Sequence, residues 1–219
     1  MSNIGVFIEI IDGVLKKVNH EALSLARKSG KDIYAITISD ELASHKDQLK
    51  GLKGIIQIPV KLTENKPDQF AVTLVEIIKK YEINDLIAGY TSVSRDLFPR
   101  VSAKIDGSLI NDCIEIDLEN RIAVKPVYAG KLLQEYKLED EFNLFTIRSN
   151  VFPVDTEADG QDSPIETVEL QDTETLTDVY EVTKDDSGHI DVIDAEIIVS
   201  GGRGIGSREN FDHLFDLAK

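Results

Sequence analysis

The sequence predicts an α/β fold in which helices cover both faces of a mostly parallel sheet. Over the first hundred residues, short apolar runs alternate with amphipathic helical patterns, as in successive βα units. The apolar runs carry few polar residues, as expected of parallel strands that are buried on both faces. From Leu109 onward, strand-like runs follow one another without room for helices. We therefore expect a sheet of the nucleotide-binding type with antiparallel strand additions.

The first half of the chain is predicted to alternate strands and helices. The strands are expected at residues 4–10, 33–38, 55–60 and 85–90. The helices are expected from an Asn19 N-cap to Gly30, up to about Gly51, onward from Pro67, and over residues 95–105.

Four strand-like stretches follow, and we expect them to widen the sheet with antiparallel pairs. They are residues 109–119, 121–130, 131–139 and 142–152, with Asn120 and Gly130 as turn residues. Two shorter strands are predicted at residues 164–171 and 176–184.

The pattern also predicts two domains. Residues 1–185 form an N-terminal α/β domain, residues 186–195 a linker, and residues 196–219 the first strand and helix of a second α/β domain. Burying the roughly seven large apolar side chains of that last unit contributes at most about 14 kcal/mol. Ordering its residues costs roughly twice as much. We therefore expect the second domain to be incomplete and the chain to be truncated.

The composition is that of an ordinary globular protein. The 219 residues are 42% hydrophobic, their mean hydropathy is −0.15, and no apolar run is long enough for membrane insertion. The N-terminus opens on a strand pattern instead of a signal-like leader. A single cysteine, Cys113, excludes an internal disulfide and fits a reducing compartment. These features predict a cytoplasmic protein.

The negative charge is concentrated in one stretch. Of a net charge of −16, residues 149–202 contribute −14. Nucleic-acid binding relies on Lys and Arg to neutralise phosphates, so this class of partner is disfavoured. The acidic stretch is either a solvated linker or a surface that steers a basic partner.

A hydroxyl-rich loop after the fourth predicted strand is the first candidate ligand site. Thr91, Ser92 and Ser94 lie at the carboxyl edge of the parallel sheet, where open α/β sheets bind ligands, and their hydroxyls could hold a phosphate. In the alternative, structural interpretation, Ser94 caps the following helix and Asp96 interacts with its positive end.

The glycine-rich stretch SGGRGIGSREN, residues 200–210, is the second candidate. The stretch does not match the dinucleotide-binding motif, because Ser207 stands where that motif needs its third glycine. It does not match a Walker motif either, because it has no Gly-Lys-Ser/Thr sequence. Gly202 and Gly204 nevertheless let the backbone approach a ligand closely, and Arg203 offers a cation suited to a phosphate or an electron-rich ring. A tight strand-to-helix turn with a solvated arginine is the alternative.

No catalytic or metal-binding constellation is recognisable. The histidines are scattered, without Cys, Asp or Glu at metal-ligand spacing: His20, His45, His189 and His213. Cys113, within a predicted strand, is interpreted as a small buried hydrophobe.

Taken together, these segments resemble the alpha subunit of electron transfer flavoproteins. The family's RDL-PRV core is present at residues 95–101, and KPVYAGK and TIRSNVF, residues 125–131 and 146–152, resemble its RP-Y-GG and TVRP-F runs. The opening of the family's flavin domain is resembled in residues 200–219, where its motifs occur in the same order: SGGRG, Ser207, ENF and DLAK. Ser94 replaces the usual glycine and Lys125 the usual arginine.

The resemblance implies an electron carrier, not an enzyme. It implies a heterodimer with a beta subunit, FAD held mainly by the alpha subunit's second domain, and electron exchange with flavoprotein dehydrogenases such as acyl-CoA dehydrogenase. Residues 196–219 would open that FAD-binding domain, and the expected cofactor-binding residues are Ser200, Gly202, Arg203 and Gly204. These 219 residues alone are not expected to bind FAD.

Two alternatives stay open at this point. One is a stand-alone adenine-nucleotide-binding module of the stress-protein type, which would use the loop from Thr91 to Ser94. The other is a pure interaction domain with a degenerate site.

Overall fold

The computed structural model describes residues 3–64, 66–154, 160–177, 179–181, 183, 192, 195 and 197–219. The chain falls into two compact units, Met1–Val182 and Thr183–Lys219. Most of the linker predicted at residues 186–195 lies outside the described residues. The finer division into a complete domain and an incomplete second domain stays a prediction.

Within its described residues, the first unit contains twelve strands and three α-helices. The strands are β1 (Asn3–Ile8), β2 (Ile10–Ile11), β3 (Val14–Leu15), β4 (Ile33–Ile38), β5 (Gly54–Ile58), β6 (Ile83–Gly89), β7 (Ser108–Cys113), β8 (Glu115–Asp117), β9 (Ile122–Val127), β10 (Leu132–Lys137), β11 (Asn143–Ile147) and β12 (Ile165–Thr167). The helices are α1 (Lys17–Arg27), α2 (Pro67–Lys80) and α3 (Ser92–Ile105).

Seven parallel strands form the central sheet, in the order β12-β5-β4-β1-β6-β11-β7. Along β1, Val6 and Ile8 pack on the face that α1 covers, and Phe7 packs on the face that α2 and α3 cover. The predicted mostly parallel sheet with helices on both faces is therefore confirmed.

The antiparallel strands are present, but they do not widen the central sheet. β8, β9 and β10 form a separate three-stranded sheet. β7 and β11 instead join the central sheet in parallel. The five residues of β11 are all buried, as is typical of a strand inside a parallel sheet that is covered on both faces.

Helix boundaries differ from the prediction where side chains have other partners. α1 begins at Lys17, so Asn19 is not its N-cap but a buried residue inside its first turn. The helix expected before Gly51 is a 3-10 helix over Leu42–Gln48. α2 begins at Pro67 as predicted, and α3 begins at Ser92, earlier than residue 95. The described residues within 176–184 form no strand.

The described part of the second unit contains α4 (Asp212–Leu217) and two 3-10 helices, Arg203–Ile205 and Glu209–Phe211. The strand predicted before the glycine loop is wrong for the described residues 197–200, because a parallel strand needs a hydrogen-bonded neighbour. The glycine loop folds back on the helix that follows it. A Cβ atom at Gly201 would lie 2.5 Å from Leu214 Cδ1 and 2.6 Å from Ile205 Cδ1.

Candidate functional site

The order of the strands reverses between β1 and β6, and open α/β sheets bind ligands in the crevice at such a point. Here α1 is packed directly against the end of β6. A Cβ atom at Gly89 would lie 2.3 Å from Val18 Cγ1. The contact requires glycine at the end of β6 and leaves no room there for a ligand.

A buried carboxyl group fills the same crevice from the β1 side. Glu9 is 1% exposed, and the Thr91 hydroxyl donates to its Oε1 at 2.5 Å. The Asn19 side chain accepts from the Glu9 backbone N–H at 3.2 Å and donates to its carbonyl at 2.8 Å. Three segments are thus joined across the point where the strand order reverses.

The environment of Glu9 favours its neutral form. Burial raises the pKa of the carboxyl to about 7, although the Thr91 hydrogen bond and the charge of Lys16 oppose that rise. Its Oε2 is buried without a hydrogen-bond partner among the described groups. Ionisation of Glu9 would place a buried negative charge at the edge of the sheet where open α/β folds bind ligands, and that charge would disfavour a phosphate.

The hydroxyls of the first candidate loop are engaged in capping α3. Thr91 is the N-cap: its Oγ1 accepts from the Ser94 N–H at 3.2 Å, and the Thr91 N–H donates to Ser94 Oγ at 3.0 Å. Ser94 Oγ also donates to the Gly89 carbonyl at 2.5 Å. The structural interpretation of this loop is confirmed, with Thr91 instead of Ser94 as the cap. Ser92, the third hydroxyl residue, is exposed.

Within residues 95–101, a charged side chain connects α3 to α2. Arg100 donates to Asp68 of α2 at 2.8 Å and, one turn back along α3, to Asp96 at 3.1–3.2 Å. Asp96, expected to interact with the helix end, is therefore engaged by Arg100. Arg95 lies over the Tyr90 ring at 5.1 Å.

The segment 146–152 is anchored by two carboxylates. Arg148 makes a two-pronged ion pair with Asp112, at 2.9 Å from Nε to Oδ1 and 2.6 Å from Nη2 to Oδ2. Glu21 of α1 accepts three consecutive backbone N–H groups, those of residues 150–152, at 2.9–3.3 Å. Sequence reasoning missed Glu9 and Glu21; a charged residue inside an otherwise apolar strand or helix stripe was the available signal.

The residues expected to contact a cofactor lie on the second unit and are exposed: Ser200, Gly202, Arg203 and Gly204. The Ile205 N–H donates to the Gly202 carbonyl at 3.0 Å, so Arg203 lies inside a single 3-10 turn. A Cβ atom at Gly202 or Gly204 would meet nothing within 4 Å, and neither residue has a positive φ. Bare backbone beside a guanidinium suits an anionic or electron-rich group, so these residues fit the proposed role of contacting one side of a flavin.

Other chemistry is sparse in the described part of the chain. Within it, no group of three or more His, Cys, Asp and Glu side chains could hold a metal ion. No helix among the described residues is both long and apolar enough to cross a membrane. Cys113 is buried as predicted, and burial raises the pKa of its thiol to about 12.

These features define an α/β protein with a nucleotide-binding type of sheet whose own ligand crevice is filled by side chains. The sequence profile of the electron transfer flavoprotein domain matches residues 4–173. The chain belongs to the electron transfer flavoprotein family, and within it to the alpha type.

Three relatives illustrate the match. The chain is 31% identical to Protein FixB of Clostridium saccharobutylicum, covering 98% of this chain and 68% of that protein. It is 28% identical to the electron transfer flavoprotein subunit alpha of Bacillus subtilis, over 96% of this chain and 67% of the relative. It is 32% identical to the electron transfer flavoprotein subunit alpha of Clostridium acetobutylicum, over 97% of this chain and 68% of the relative.

Proposed function

We propose that this chain serves as the alpha subunit of a heterodimeric electron transfer flavoprotein, which carries electrons from flavoprotein dehydrogenases. The observation that supports this most strongly is the family match, which extends over residues 4–173 and hence most of the first unit. Relatives named as the alpha subunit imply a beta subunit as partner.

In this proposal the first unit is a scaffold without a nucleotide of its own. Its crevice is closed by the contact between Val18 and Gly89 and by the hydrogen bond between Glu9 and Thr91. Both contacts lie in the interior of the protein, so a ligand there would have to displace α1. The first unit therefore contributes surface and rigidity, while the redox cofactor binds elsewhere.

The glycine loop of the second unit would contribute one side of the FAD site. Arg203 offers a positive charge, and Gly202 and Gly204 offer backbone that a planar ring or a phosphate can approach closely. FAD, when bound, accepts and returns electrons. The exposed loop does not enclose a ligand by itself, so most of the contacts would come from other parts of the assembled protein.

The proposal is tested by mixing the purified chain with the beta subunit of its own organism and analysing the mixture by size-exclusion chromatography. A one-to-one complex is expected. The isolated 219-residue chain is expected to be colourless, because the residues that we propose contact flavin form only an exposed loop. Stoichiometric flavin absorbance of the isolated chain would contradict this assignment of roles.

Calorimetry with ATP and AMP tests the nucleotide-binding alternative. The hydroxyls of Thr91 and Ser94 are used in capping, and Glu9 lies at the edge of the sheet where open α/β folds bind ligands. No heat of binding is therefore expected. Micromolar affinity of the isolated chain for either nucleotide would favour the stress-protein type of function instead.

A further inference from the structure

A short segment between the end of β1 and the body of α1 covers the crevice where the strand order reverses. It comprises residues 10–19, which form the hairpin of β2 and β3 and then the first turn of α1. The hairpin has two residue pairs, Ile10 with Leu15 and Ile11 with Val14. A two-stranded hairpin is at best marginally stable by itself. This segment, which we call the lid, therefore depends on contacts at its base and at its tip.

The base of the lid is bonded to the backbone of Glu9. The Glu9 carbonyl accepts from the Asn19 side chain at 2.8 Å and from the Lys16 N–H at 3.2 Å, and the Glu9 N–H donates to the Asn19 side chain. Beside Asn19, Val18 closes on Gly89 at the end of β6. The lid opens only if its base separates from Glu9 and Gly89.

The tip of the lid is held by two side chains of a neighbouring segment. The Gly13 N–H donates to Glu41 at 2.9 Å, and the Gly13 carbonyl accepts from Nε2 of His45 at 3.0 Å. The bond to Glu41 is exposed to solvent, and exposed hydrogen bonds contribute little to local stability. The tip is thus held less firmly than the buried base.

The carboxyl group of Glu9 has a hydrogen bond on one oxygen only. Its Oε1 accepts from the Thr91 hydroxyl at 2.5 Å, whereas its Oε2 is buried and has no partner among the described groups. A buried carboxylate that lacks a partner is far more costly than the neutral carboxyl. Loss of the proton therefore favours any local opening that brings Oε2 into contact with water.

The lid and α3 both pack against Glu9, and the lid moves at the lower cost. α3 has 14 residues, a capping box at its start and a buried face along its length. Its first charged residues, Arg95 and Asp96, are exposed and engaged with other side chains. The lid has a hairpin of two residue pairs and a tip contact in solvent. Segments with few buried contacts open at the lowest free energy.

The charged groups around the lid leave Glu9 as the group that controls it near neutral pH. The charge of Lys16, at the base, opposes the rise in the pKa of Glu9 but does not outweigh burial. Burial lowers the pKa of His20, in α1, so His20 loses its proton at a lower pH than Glu9 does. At the tip, Nε2 of His45 is able to donate in either protonation state. Glu41 is distinguished from Glu9 by substitution.

We propose that residues 10–19 are a proton-controlled lid, which opens locally over the crevice when Glu9 loses its proton and closes when Glu9 regains it. This device goes beyond the proposed function, because it belongs to the first unit alone and needs neither FAD nor a beta subunit. By linkage, a partner that holds the lid closed takes up a proton when it binds near neutral pH.

The test is hydrogen exchange of the backbone amides of the purified chain at pH 6 and pH 8, measured by mass spectrometry and corrected for the pH dependence of exchange in unstructured peptides. The pKa of Glu9 is about 7 with the lid closed, against its usual 4.5 in water. The opening equilibrium therefore increases by about tenfold between these pH values. The protection of residues 10–19 is expected to fall by that factor.

Local opening is distinguished from global unfolding by the level of protection. At both pH values the lid amides are expected to be at least about tenfold less protected than those of α3. Their exchange is also expected to be insensitive to 1 M urea, because a local opening exposes little surface. Lid amides as protected as α3, or equally sensitive to urea, would overturn the proposal.

Two variants identify the titrating group. Glu9→Gln keeps the size of the side chain but is neutral at both pH values, so its lid protection is expected to be the same at pH 6 and pH 8. Glu41→Ala removes the tip contact, so it is expected to lower lid protection at both pH values and to keep the tenfold ratio.

Three results would contradict the assignment to Glu9. They are a lid protection in the wild type that does not change with pH, a tenfold ratio that persists in Glu9→Gln, and a ratio that disappears in Glu41→Ala. The first and the third do not depend on the folding of Glu9→Gln.

Discussion

At Gly89 a Cβ atom would lie 2.3 Å from Val18 Cγ1, whereas at Gly202 it would meet no atom within 4 Å. Both glycines belong to stretches that the sequence presents as ligand sites. The first is required by packing within the chain, and nothing described within the chain requires the second. A glycine without an internal steric reason is the better indication of a ligand that approaches from outside.

The largest effect is expected from Gly89→Ala. The added methyl group would overlap Val18, whose β-branched side chain has little freedom to move away. We expect a loss of about 3 kcal/mol in the free energy of unfolding, at the upper end of typical overpacking costs. Urea denaturation measures it. A stability equal to wild type would mean that α1 can separate from β6, and the crevice would then count as open.

The pH dependence of stability should reveal the buried carboxyl. The folded-state pKa of Glu9 is raised to about 7, so its stabilising contribution is complete at low pH and is lost as pH rises through 7. Relative to Glu9→Gln, the wild type should lose roughly 2–3 kcal/mol of unfolding free energy between pH 5 and pH 8. Parallel stability curves for the two proteins would show that Glu9 is not buried as described.

Thr91→Val removes the hydroxyl that caps α3 and donates to Glu9. The shape of the side chain is kept, so the expected loss of about 2 kcal/mol is due to the lost cap and the lost hydrogen bond. Thr91→Ser, which keeps the hydroxyl, is the control and should cost less than half as much. Thermal unfolding at constant pH distinguishes the two variants.

The smallest effect on stability is expected from Gly202→Ala. Nothing lies near the added methyl group and φ at this position is −132°, so the unfolding free energy should change by less than about 0.5 kcal/mol. In a complex that contains flavin, the same change should lower the affinity for FAD, as measured by fluorescence titration. Unchanged affinity would remove the glycine loop from the proposed cofactor site.

Much of the fold was predictable because local patterns and burial agree. Residues 33–38 form β4 with the predicted ends, and Pro67 begins α2, since each of these follows from apolar periodicity or proline chemistry. The position of β11 was not predictable. Its sequence is compatible with an edge or an interior strand, and its pairing with β6 on one side and β7 on the other is decided by the tertiary structure.

The site was less predictable than the fold. Asn19 fits the composition of an N-cap, but its amide instead bridges both backbone groups of Glu9. Ser94 was expected to cap this helix, but Thr91 is the cap, and the hydrogen bond from Thr91 to the buried Glu9 joins residues 82 positions apart in the chain. Sequence reasoning finds groups with hydrogen-bonding capacity, and the tertiary structure decides which of them are already used.

Between β7 and β11 the chain crosses the sheet through three antiparallel strands, where such a connection normally contains a helix. A helix forms hydrogen bonds among its own backbone N–H and carbonyl groups, whereas a short antiparallel sheet leaves the outer backbone groups of its edge strands without such partners. Within the described residues, the crossover therefore leaves backbone groups of β10 without a strand partner, which a helical crossover would not do.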